Sequence, residues 1–406
     1  MKVEKTQKML TVVITVILIA ASCGSESEVE SKLQSGVKVI SLESAIGNER
    51  VVYLSEVASA VDYIPLETSE ESLVGMARHI MLENDVIYLP EGSGTQKLSR
   101  FSLSGEYLGS VGKRGRAFGE YVRLDGFSFD YDYQAGIEMI YDRGNKLIEY
   151  YPDGSIKEIT VESPIGKNFS VNFIKKHGDI YIAAIGIDGT KTQDLIFLDS
   201  CGTLIGDFPD GYSKGDYQEK VGGTLREGGM IVSFSPITSL TPLYRYKEQL
   251  MILNGSKDTI FSFKSNSTVA NVRYVVDMGK FINEKDEFGS LLIKFVASFT
   301  RESNKHLFMT FNLDKYKPAL NKEFLARVLF NKETNQTTVL INSLVNDIDG
   351  GPSFWPQHIS RDGKMVSVIG AIDFIDAAKE SKSQKMKEVA ATLTEESNPV
   401  VMVVTP

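Results

Sequence analysis

The chain of 406 residues has only two cysteines, one tryptophan and four histidines, and its 44 lysines and arginines are outnumbered by 53 acidic residues. Two cysteines, Cys23 and Cys201, are too few for a disulfide framework, so burial of apolar side chains must hold the fold. A nucleic-acid-binding surface needs concentrated Lys and Arg, whereas this chain has a net charge of −9. The sequence therefore predicts no nucleic-acid partner.

Short catalytic and metal-binding motifs are also missing. The histidines show no H-x-x-x-H or H-x-H spacing; they are His79, His177, His306 and His358. A metal site built from neighbouring ligands is therefore not predicted. The chain has no G-x-S-x-G nucleophile motif, and Cys201 has no evident activating partner. No catalytic residue is predicted, although carboxylates converging from distant parts of the chain remain an open route to catalysis.

The amino terminus has an apolar run that is too short for a typical transmembrane helix. This run, LTVVITVILIAAS, covers Leu10–Ser22 and follows three lysines. Small residues then precede Cys23, a pattern that resembles the processing site of bacterial lipoproteins. We predict a signal peptide over residues 1–22 and lipid attachment to the membrane at Cys23. An ordinary secretory signal is the alternative.

The segment that follows the predicted lipidation site is polar and acidic. Residues 23–36 offer almost nothing to bury, which predicts a flexible tether. Its three glutamates resemble the acidic signals that direct lipoproteins to the outer face of the outer membrane, although a simple soluble linker fits equally well. The predicted location is the outer membrane, on its periplasmic or its cell-surface side.

A repeated strand pattern fills the rest of the chain and is clearest in Lys97–Tyr121. An alternating strand leads to a Ser104-Gly105 turn, where glycine tolerates a positive φ, and a second strand and a glycine-spaced loop follow. Six copies, five of them looser than this one, open near Val86, Ile137, Ile180, Leu250, Leu307 and Met365. Their spacing of about 43 to about 70 residues is centred on the size of a propeller blade.

The glycine-spaced loop also carries a family resemblance. The run GKRGRAFGEY, Gly112–Tyr121, resembles the G-x-G-x-G-P-G-E-Y signature of the six-bladed β-propeller lipoproteins of Bacteroidota, which are similar to NHL-repeat propellers. VDYIPLE, NDIDGGPSFWP and ESNPVVMVV are supporting matches. Ala117 and Phe118 depart from the pattern, which puts in doubt a ligand contact that needs bare backbone at 117. The resemblance implies an all-β, six-bladed propeller over residues 37–406 on a lipid anchor, with no shared chemistry.

Two insertions and a closing strand are predicted within the propeller. Lys280–Thr300 has apolar residues at helical spacing, among them Phe295, and Ile372–Thr394 shows a clearer amphipathic pattern that includes Ile372. Val400–Val404 reads as a strand. We expect it to pair with Val51–Glu67, because closing the ring removes exposed sheet edges.

Three segments carry candidate ligand-binding residues. Arg114 and Arg116 lie in the glycine-spaced loop and Arg123 follows it, a pattern suited to an anion, although a simple inter-blade loop is the alternative. Asp130, Asp132 and Gly136 copy the first part of a calcium loop without its later ligands. No cofactor is predicted, with calcium as the one alternative.

The third segment, NDIDGGPSFWPQH, combines Asp347 and Asp349 with the single tryptophan, Trp355, and with His358. An aromatic face beside carboxylates suits a carbohydrate or a cation. In the alternative interpretation, Trp355 packs against the next blade and the aspartates cap turns. We expect this loop to meet the glycine-spaced loop at the channel.

These patterns predict a lipid-anchored envelope propeller that binds a polysaccharide or a protein partner through loops at its central channel. One alternative is a secreted hydrolase or lyase with carboxylates at the channel mouth, and another is a structural subunit of an envelope complex. An enzyme requires acidic and basic groups that converge at the axis, whereas a scaffold requires a broad apolar patch.

Overall fold

The computed structural model of the protein describes residues 37–75, 79–91, 96–124, 129–142, 146–161, 169–187, 193–208, 223–227, 230–234, 243–254, 259–281, 294–295, 300–312 and 326–406. Two strands precede the first blade, β1 (Lys38–Ser41) and β2 (Ala60–Pro65). Blade 1 comprises β3 (Met81–Glu83), β4 (Val86–Pro90), β5 (Leu98–Ser102) and β6 (Tyr107–Ser110). A short parallel pair follows, β7 (Lys113–Arg114) and β8 (Glu120–Tyr121).

Three further sheets follow in chain order. Blade 2 comprises β9 (Phe129–Asp132), β10 (Ile137–Asp142), β11 (Lys146–Tyr150) and β12 (Ile156–Thr160). Blade 3 comprises β13 (Phe169–His177), β14 (Ile180–Ile187), β15 (Gln193–Leu198) and β16 (Leu204–Asp207), and a hairpin of β17 (Gly223–Glu227) and β18 (Met230–Phe234) follows it. Blade 4 comprises β19 (Leu243–Tyr246), β20 (Gln249–Asn254), β21 (Thr259–Lys264) and β22 (Ala270–Asp277).

Two more sheets complete the ring, and two helices accompany the last. Blade 5 comprises β23 (Lys294–Phe295) and β24 (Arg301–Glu302), which both pair with β25 and together form its first strand, and then β25 (His306–Asn312), β26 (Ala326–Asn331) and β27 (Gln336–Val339). Blade 6 comprises β28 (His358–Ile359), β29 (Met365–Ile369) and β30 (Val400–Thr405), with α1 (Ala371–Glu380) and α2 (Gln384–Ala390) between its last two strands. Short 3-10 turns occupy Leu54–Glu56 and Gly279–Phe281. No helix in these ranges is both long and apolar enough to cross a lipid bilayer.

The architecture is a six-bladed β-propeller, as the sequence predicts. The predicted closing pair is also confirmed, because β30 pairs antiparallel with β2 from Ala60 opposite Thr405 to Pro65 opposite Val400. An amino-terminal strand thus completes blade 6 from outside. The parallel addition of β1 to β22 as a fifth strand of blade 4 was not predicted.

The predicted opening strands are the second strands of the blades. Val86, Ile137, Ile180 and Met365 begin β4, β10, β14 and β29, while Leu250 and Leu307 lie one residue inside β20 and β25. The pattern therefore located every blade but missed the first strand of each. Those first strands surround the axis, where β28 contacts β3, β9 contacts β13, and β24 contacts both β19 and β28.

The blades are held together by apolar clusters that span neighbouring sheets. Met251 and Ile260 of blade 4, for example, pack in one buried cluster with Leu307 and Val328 of blade 5. Burial of about 1.5–3 kcal/mol per large aliphatic side chain stabilises each such interface. The turn glycine predicted at the blade 1 hairpin has its expected role, because Gly105 has φ +88° and a Cβ there would lie 2.1 Å from the Pro65 carbonyl oxygen.

The predicted insertions match the structure in part. Ile372–Thr394 forms two helices, because Ser383 interrupts the pattern and its side chain accepts a hydrogen bond from the Met386 amide to cap α2. Phe374 and Met386 face the core, whereas Ile372 is exposed, so its predicted place on the buried face is wrong. Phe295, predicted to be helical, lies in strand β23. Most of that first insertion lies outside the described residues.

Candidate channel site

A cavity of about 330 Å³ lies where the first strands of the blades surround the axis. Each of the six strands contributes at least one polar side chain to its lining; the set includes Glu83, Tyr131, Lys175, Arg245, Arg301 and His358. These residues are far apart in the chain. The fold therefore assembles here the convergent acidic and basic groups that no local motif shows.

The Asp130 carboxylate of blade 2 is a buried charge of the cavity. Its oxygens lie 3.1 Å from Lys175 Nζ of blade 3 and 2.8 Å from Arg245 Nη2 of blade 4, and the amide of Lys176 donates to it at 3.0 Å. Burial alone would raise the pKa of Asp130, but the charges and hydrogen bonds of Arg245 and Lys175 outweigh burial and hold it below its ordinary value. Asp130 thus joins three successive blades.

Burial disfavours the charged forms of Lys175 and Arg301. Burial lowers the pKa of Lys175, and the neighbouring positive charges of Arg245 and Arg301 lower it further against the effect of Asp130. Burial lowers the pKa of Arg301 to about 10. The Arg301 guanidinium donates from Nε to the Gln357 carbonyl at 2.6 Å and from Nη1 to the Thr300 carbonyl at 2.7 Å. Like charges therefore accumulate on one side of the cavity.

The remaining carboxylates of the lining each have close partners. Glu83 Oε1 of blade 1 lies 3.3 Å from His358 Nε2 of blade 6. Glu302 is directed between blades 4 and 5, where it accepts hydrogen bonds from the Tyr274 hydroxyl at 2.7 Å and from Lys332 Nζ at 2.9 Å. Among the described residues of the lining, five basic side chains face three acidic ones. The cavity is therefore basic within an acidic chain.

Turns of alternate blades meet across one end of the channel. The Tyr133 hydroxyl of blade 2 lies 2.9 Å from Glu248 Oε2 of blade 4, and Gln134 Nε2 donates to the same oxygen at 2.6 Å. Arg361 of blade 6 pairs with Glu248 and its guanidinium lies 4.1 Å from the centre of the Tyr133 ring. Blades 2, 4 and 6 are not neighbours in the ring, so these contacts cross the axis and narrow that end.

The predicted arginines lie away from the cavity. The glycine-spaced loop packs against blade 2, where the Gly119 amide donates to Glu158 at 2.6 Å and the Tyr150 hydroxyl donates to the Gly119 carbonyl at 3.0 Å. Arg114, Arg116 and Arg123 are exposed. This loop provides inter-blade packing, which was the alternative interpretation of its glycines.

Asp347 and Asp349 fix the conformation of the NDIDGGPSFWPQH loop by accepting hydrogen bonds. The amide and hydroxyl of Ser55 donate to Asp347 at 3.0 and 2.6 Å. Asp349 accepts hydrogen bonds from the Tyr63 hydroxyl at 3.1 Å and the Ser383 hydroxyl at 2.7 Å. The loop is thereby fastened to blade 6, so the two loops expected to meet at the channel lie against different blades.

Trp355 is half-buried between blades 5 and 6. Its ring meets Phe308 edge-on with centroids 5.4 Å apart, and Arg327 lies 5.7 Å from the ring centre. This is the packing role of the alternative interpretation. Of the seven predicted ligand-binding residues, His358 is the one that lines the cavity.

The calcium-like segment also has a different role. Both Asp130 oxygens face cations, and Asp132 accepts the Gln134 amide at 3.0 Å within its turn. Across the ranges that the structure describes, no group of three or more His, Cys, Asp or Glu side chains is placed to hold a metal ion. Both oxygens of Asp130 thus pair with cationic side chains.

Sequence reasoning missed Lys175, Arg245 and Arg301, and a signal for the two arginines existed. The first strand of blade 4 reads LYRY and that of blade 5 reads RE, each just before an apolar second strand. A charged residue in a short strand ahead of a strongly apolar one marks the axis of a propeller, because the axis strand borders the channel. Applied to the blades with a short first strand, that rule finds Glu83, Asp130, Arg245 and Arg301, but it misses Lys175, because β13 has nine residues.

Comparison with known proteins agrees with the fold. Residues 37–405 match a family model described as a domain of unknown function, DUF4934. No curated protein matches the chain. A candidate exported protein of Bacteroides fragilis has a similar structure, with a TM-score of 0.59 and 15% identity over 90% of this chain and 99% of that chain.

Two β-propeller structures are more distantly similar. The β-propeller domain of Cps50 (Swd1) from Myceliophteria thermophila has a TM-score of 0.37 and 11% identity over 74% of this chain and 93% of its own. The WD40 β-propeller domain of Doa1 has a TM-score of 0.36 and 9% identity over 86% of this chain and 96% of its own. At these identities the likeness concerns the fold alone.

Proposed function

The chain belongs to the DUF4934 family, and from this premise we propose that it is a lipid-anchored propeller of the bacterial cell envelope that binds a polysaccharide or protein partner in its central channel. The observation that carries the proposal is the cavity of about 330 Å³ to which all six blades contribute polar side chains. Residues gathered from six separate strands form one concave surface, which is the usual form of a ligand site.

The chemistry of the lining suits a sugar or a polar peptide side chain. Tyr131, Tyr133 and Tyr244 line the cavity together with its basic residues. Tyrosine offers an apolar ring face and a polar hydroxyl, and this combination suits sugar rings, which carry apolar C–H faces and hydroxyl edges. The proposed site is therefore the channel cavity, with His358 as the one residue that it shares with the predicted loops.

The envelope location is supported by the leader and by a structural neighbour. The apolar run and Cys23 suggest lipidation, and the Bacteroides fragilis neighbour is itself a candidate exported protein. Labelled palmitate should enter the wild-type protein in cells, and Cys23→Ala should abolish the label. A wild type that takes up no label would remove the anchor from the proposal and leave the channel site unaffected.

Binding is tested with a glycan panel and an envelope pull-down. His358→Ala removes a cavity side chain, whereas Arg116→Ala removes an exposed charge from the glycine-spaced loop. We expect the first variant to weaken binding by about tenfold or more and the second to bind like wild type. Equal binding by His358→Ala and wild type would overturn the channel as the site.

A hydrolase or lyase is the second candidate, and the Glu83–His358 pair favours it. The pair is a carboxylate and an imidazole 3.3 Å apart in a ligand-sized cavity, which is an arrangement used for general acid–base catalysis. Incubation with bound glycans should release new reducing ends if the protein is a hydrolase, and an ultraviolet-absorbing unsaturated product if it is a lyase. Glycans that remain unchanged would argue against the enzyme and would leave binding as the proposed function.

The structural-subunit alternative makes a different demand on the surface. A scaffold needs a broad apolar face, and Leu204 and Ile205 of β16 are an adjacent pair of exposed apolar side chains. A pull-down that recovers a protein partner through β16 rather than the channel would favour this alternative.

A further inference from the structure

Lys175 of blade 3 brings an amine to the channel cavity and is nevertheless mostly shielded from solvent. It lines the cavity, and 13% of its side chain is exposed. Within the part of the chain that the structure describes, its Nζ makes two hydrogen bonds, to the Phe129 carbonyl at 2.9 Å and to Asp130 Oδ1 at 3.1 Å. An ammonium group has three protons to donate, whereas a neutral amine has two protons and a lone pair. The contacts of Lys175 therefore suffice for the neutral amine and leave one position on its nitrogen for a ligand.

The charge balance around Asp130 favours that neutral form. Asp130 pairs with two cations, because Arg245 Nη2 lies 2.8 Å from its other oxygen. A guanidinium keeps its proton at any ordinary pH, so the proton that this cluster can release is that of Lys175. Its release turns a buried cluster with one net positive charge into a neutral one, which burial favours. Burial indeed lowers the pKa of Lys175, and the charge of Arg245 lowers it further against the effect of Asp130.

The adjacent Lys176 provides a direct comparison within the same strand. Its side chain is 14% exposed, almost the same fraction as that of Lys175, and its Nζ lies 2.5 Å from Glu149 Oε1. The hydroxyls of Tyr151 and Tyr181 also donate to Glu149, and no second cation pairs with this carboxylate among the described residues. Lys176 is not one of the described residues that line the cavity. The two lysines are thus equally shielded, but only Lys175 shares its carboxylate and borders the cavity.

We propose that Lys175 is a nucleophile that forms a reversible covalent imine with a small aldehyde or ketone in the channel cavity, such as the open-chain aldehyde of a reducing sugar. A desolvated lysine beside a second cation is an established way to obtain an amine that attacks carbonyl carbons. The cavity of about 330 Å³ has room for a small molecule of this class. The inference goes beyond the proposed function, because binding of a glycan or a protein requires no covalent step.

The step needs no oxidant or reductant. The lone pair of Nζ bonds to the carbonyl carbon as the C=O π bond opens, and a proton passes from nitrogen to that oxygen by way of Asp130 Oδ1, which lies 3.1 Å from Nζ. The resulting carbinolamine loses one water molecule, and the nitrogen lone pair closes the C=N bond. Addition of water reverses the step and releases the carbonyl compound. Arg245 remains the counter-ion of Asp130 throughout.

Trapping with hydride tests the proposal on the full wild-type chain. Glycolaldehyde is the probe, sodium cyanoborohydride reduces an imine to a stable secondary amine, and peptide mass spectrometry locates the added hydroxyethyl group. At neutral pH and limiting aldehyde, we expect Lys175 to be labelled about tenfold or more faster than Lys176, because one unit of pKa changes the neutral fraction of an amine about tenfold. No label at Lys175, or equal labelling of the two lysines, would overturn the proposal.

A variant tests the effect of the shared carboxylate. In Arg245→Met, Asp130 pairs with Lys175 alone and stabilises its charged form, so labelling of Lys175 should slow about tenfold. Arg116→Ala removes an exposed arginine outside the cavity and is the matched control, in which Lys175 should be labelled as in wild type. Labelling of Arg245→Met at the wild-type rate would overturn the charge argument on which the nucleophile rests.

Arg245→Met also removes a buried ion pair, so its thermal melting must be compared with that of wild type. If this variant is unfolded, the comparison of Lys175 with Lys176 in the wild-type chain still decides the proposal. Glycan binding that depends on His358, with no label at Lys175, would preserve the proposed function and reject the covalent step. The two proposals thus fail on different results.

Discussion

Two regions of the protein concentrate basic side chains, and they differ in what surrounds the charge. In the glycine-spaced loop, Arg114 and Arg116 lie in solvent at the edge of blade 2. In the channel, Lys175 and Arg245 lie against the buried carboxylate of Asp130. Exposed charges of the first kind contribute about 0–1 kcal/mol, whereas removal of one partner from a buried pair costs several kcal/mol.

The comparison shows that local density of charge is a poor guide to a site in a propeller. The loop attracts attention because three basic residues fall within four positions, yet its glycines and glutamates serve packing between blades. The channel cations come from three different blades. Their proximity arises only when the ring is closed.

The largest effect that would test this contrast is expected for Asp130→Asn. The neutral amide leaves Lys175 and Arg245 buried without their carboxylate, so we expect a loss of about 3–5 kcal/mol in the free energy of unfolding, measured with denaturant. Asp132→Asn is the control, because Asp132 is partly exposed and an Asn side chain can still accept the Gln134 amide. Equal losses for the two variants would contradict the role of the Asp130 cluster.

The next effect concerns Trp355, which the sequence suggested as a ligand residue and the structure packs on Phe308. We expect Trp355→Ala to cost about 2–3 kcal/mol, below the range of a fully buried aromatic residue, because Trp355 is half-buried. Trp355→Phe should cost less, since a ring remains against Phe308. If Trp355→Ala kept the wild-type free energy of unfolding but lost glycan binding, Trp355 would be a binding residue after all.

Acid should weaken the fold through the same buried carboxylate. The folded-state pKa of Asp130 lies below its ordinary value near 3.8, so its stabilising contribution is present above that pH and is lost as pH falls through the folded-state pKa. Denaturant midpoints measured from neutral pH downward should therefore fall more steeply for wild type than for Asp130→Asn. Parallel curves would show that other carboxylates, such as Glu149, dominate the acid response.

The smallest effect is expected on the exposed side of the comparison. Arg114→Ala and Arg116→Ala should each change the free energy of unfolding by about 0.5 kcal/mol or less, because neither side chain is buried. Thermal melting and denaturant titration of both variants provide the measurement. If either variant lost several kcal/mol of unfolding free energy, the loop arginines would contribute to stability as the buried channel cations do.

Much of the fold was readable because it depends on local rules. Alternating apolar residues located the second strand of every blade, and the turn at Gly105 was predicted because glycine tolerates the positive φ that the structure has there. The pairing of β2 with β30 followed from the need to close the ring. The break between α1 and α2 was missed, because the cap formed by Ser383 competes with the amphipathic pattern on which the prediction relied.

The sequence by itself determined the number of blades, the closing strand, the absence of a disulfide framework and the acidic balance of the chain, because each depends on composition or on period-two patterning. Only the tertiary structure decided where the charges meet. Glu83, Lys175 and His358 belong to strands that are distant in the chain, and curvature of the ring brings them to one cavity. Burial then turns them from ordinary polar residues into a candidate site, since electrostatic interactions strengthen when water is excluded.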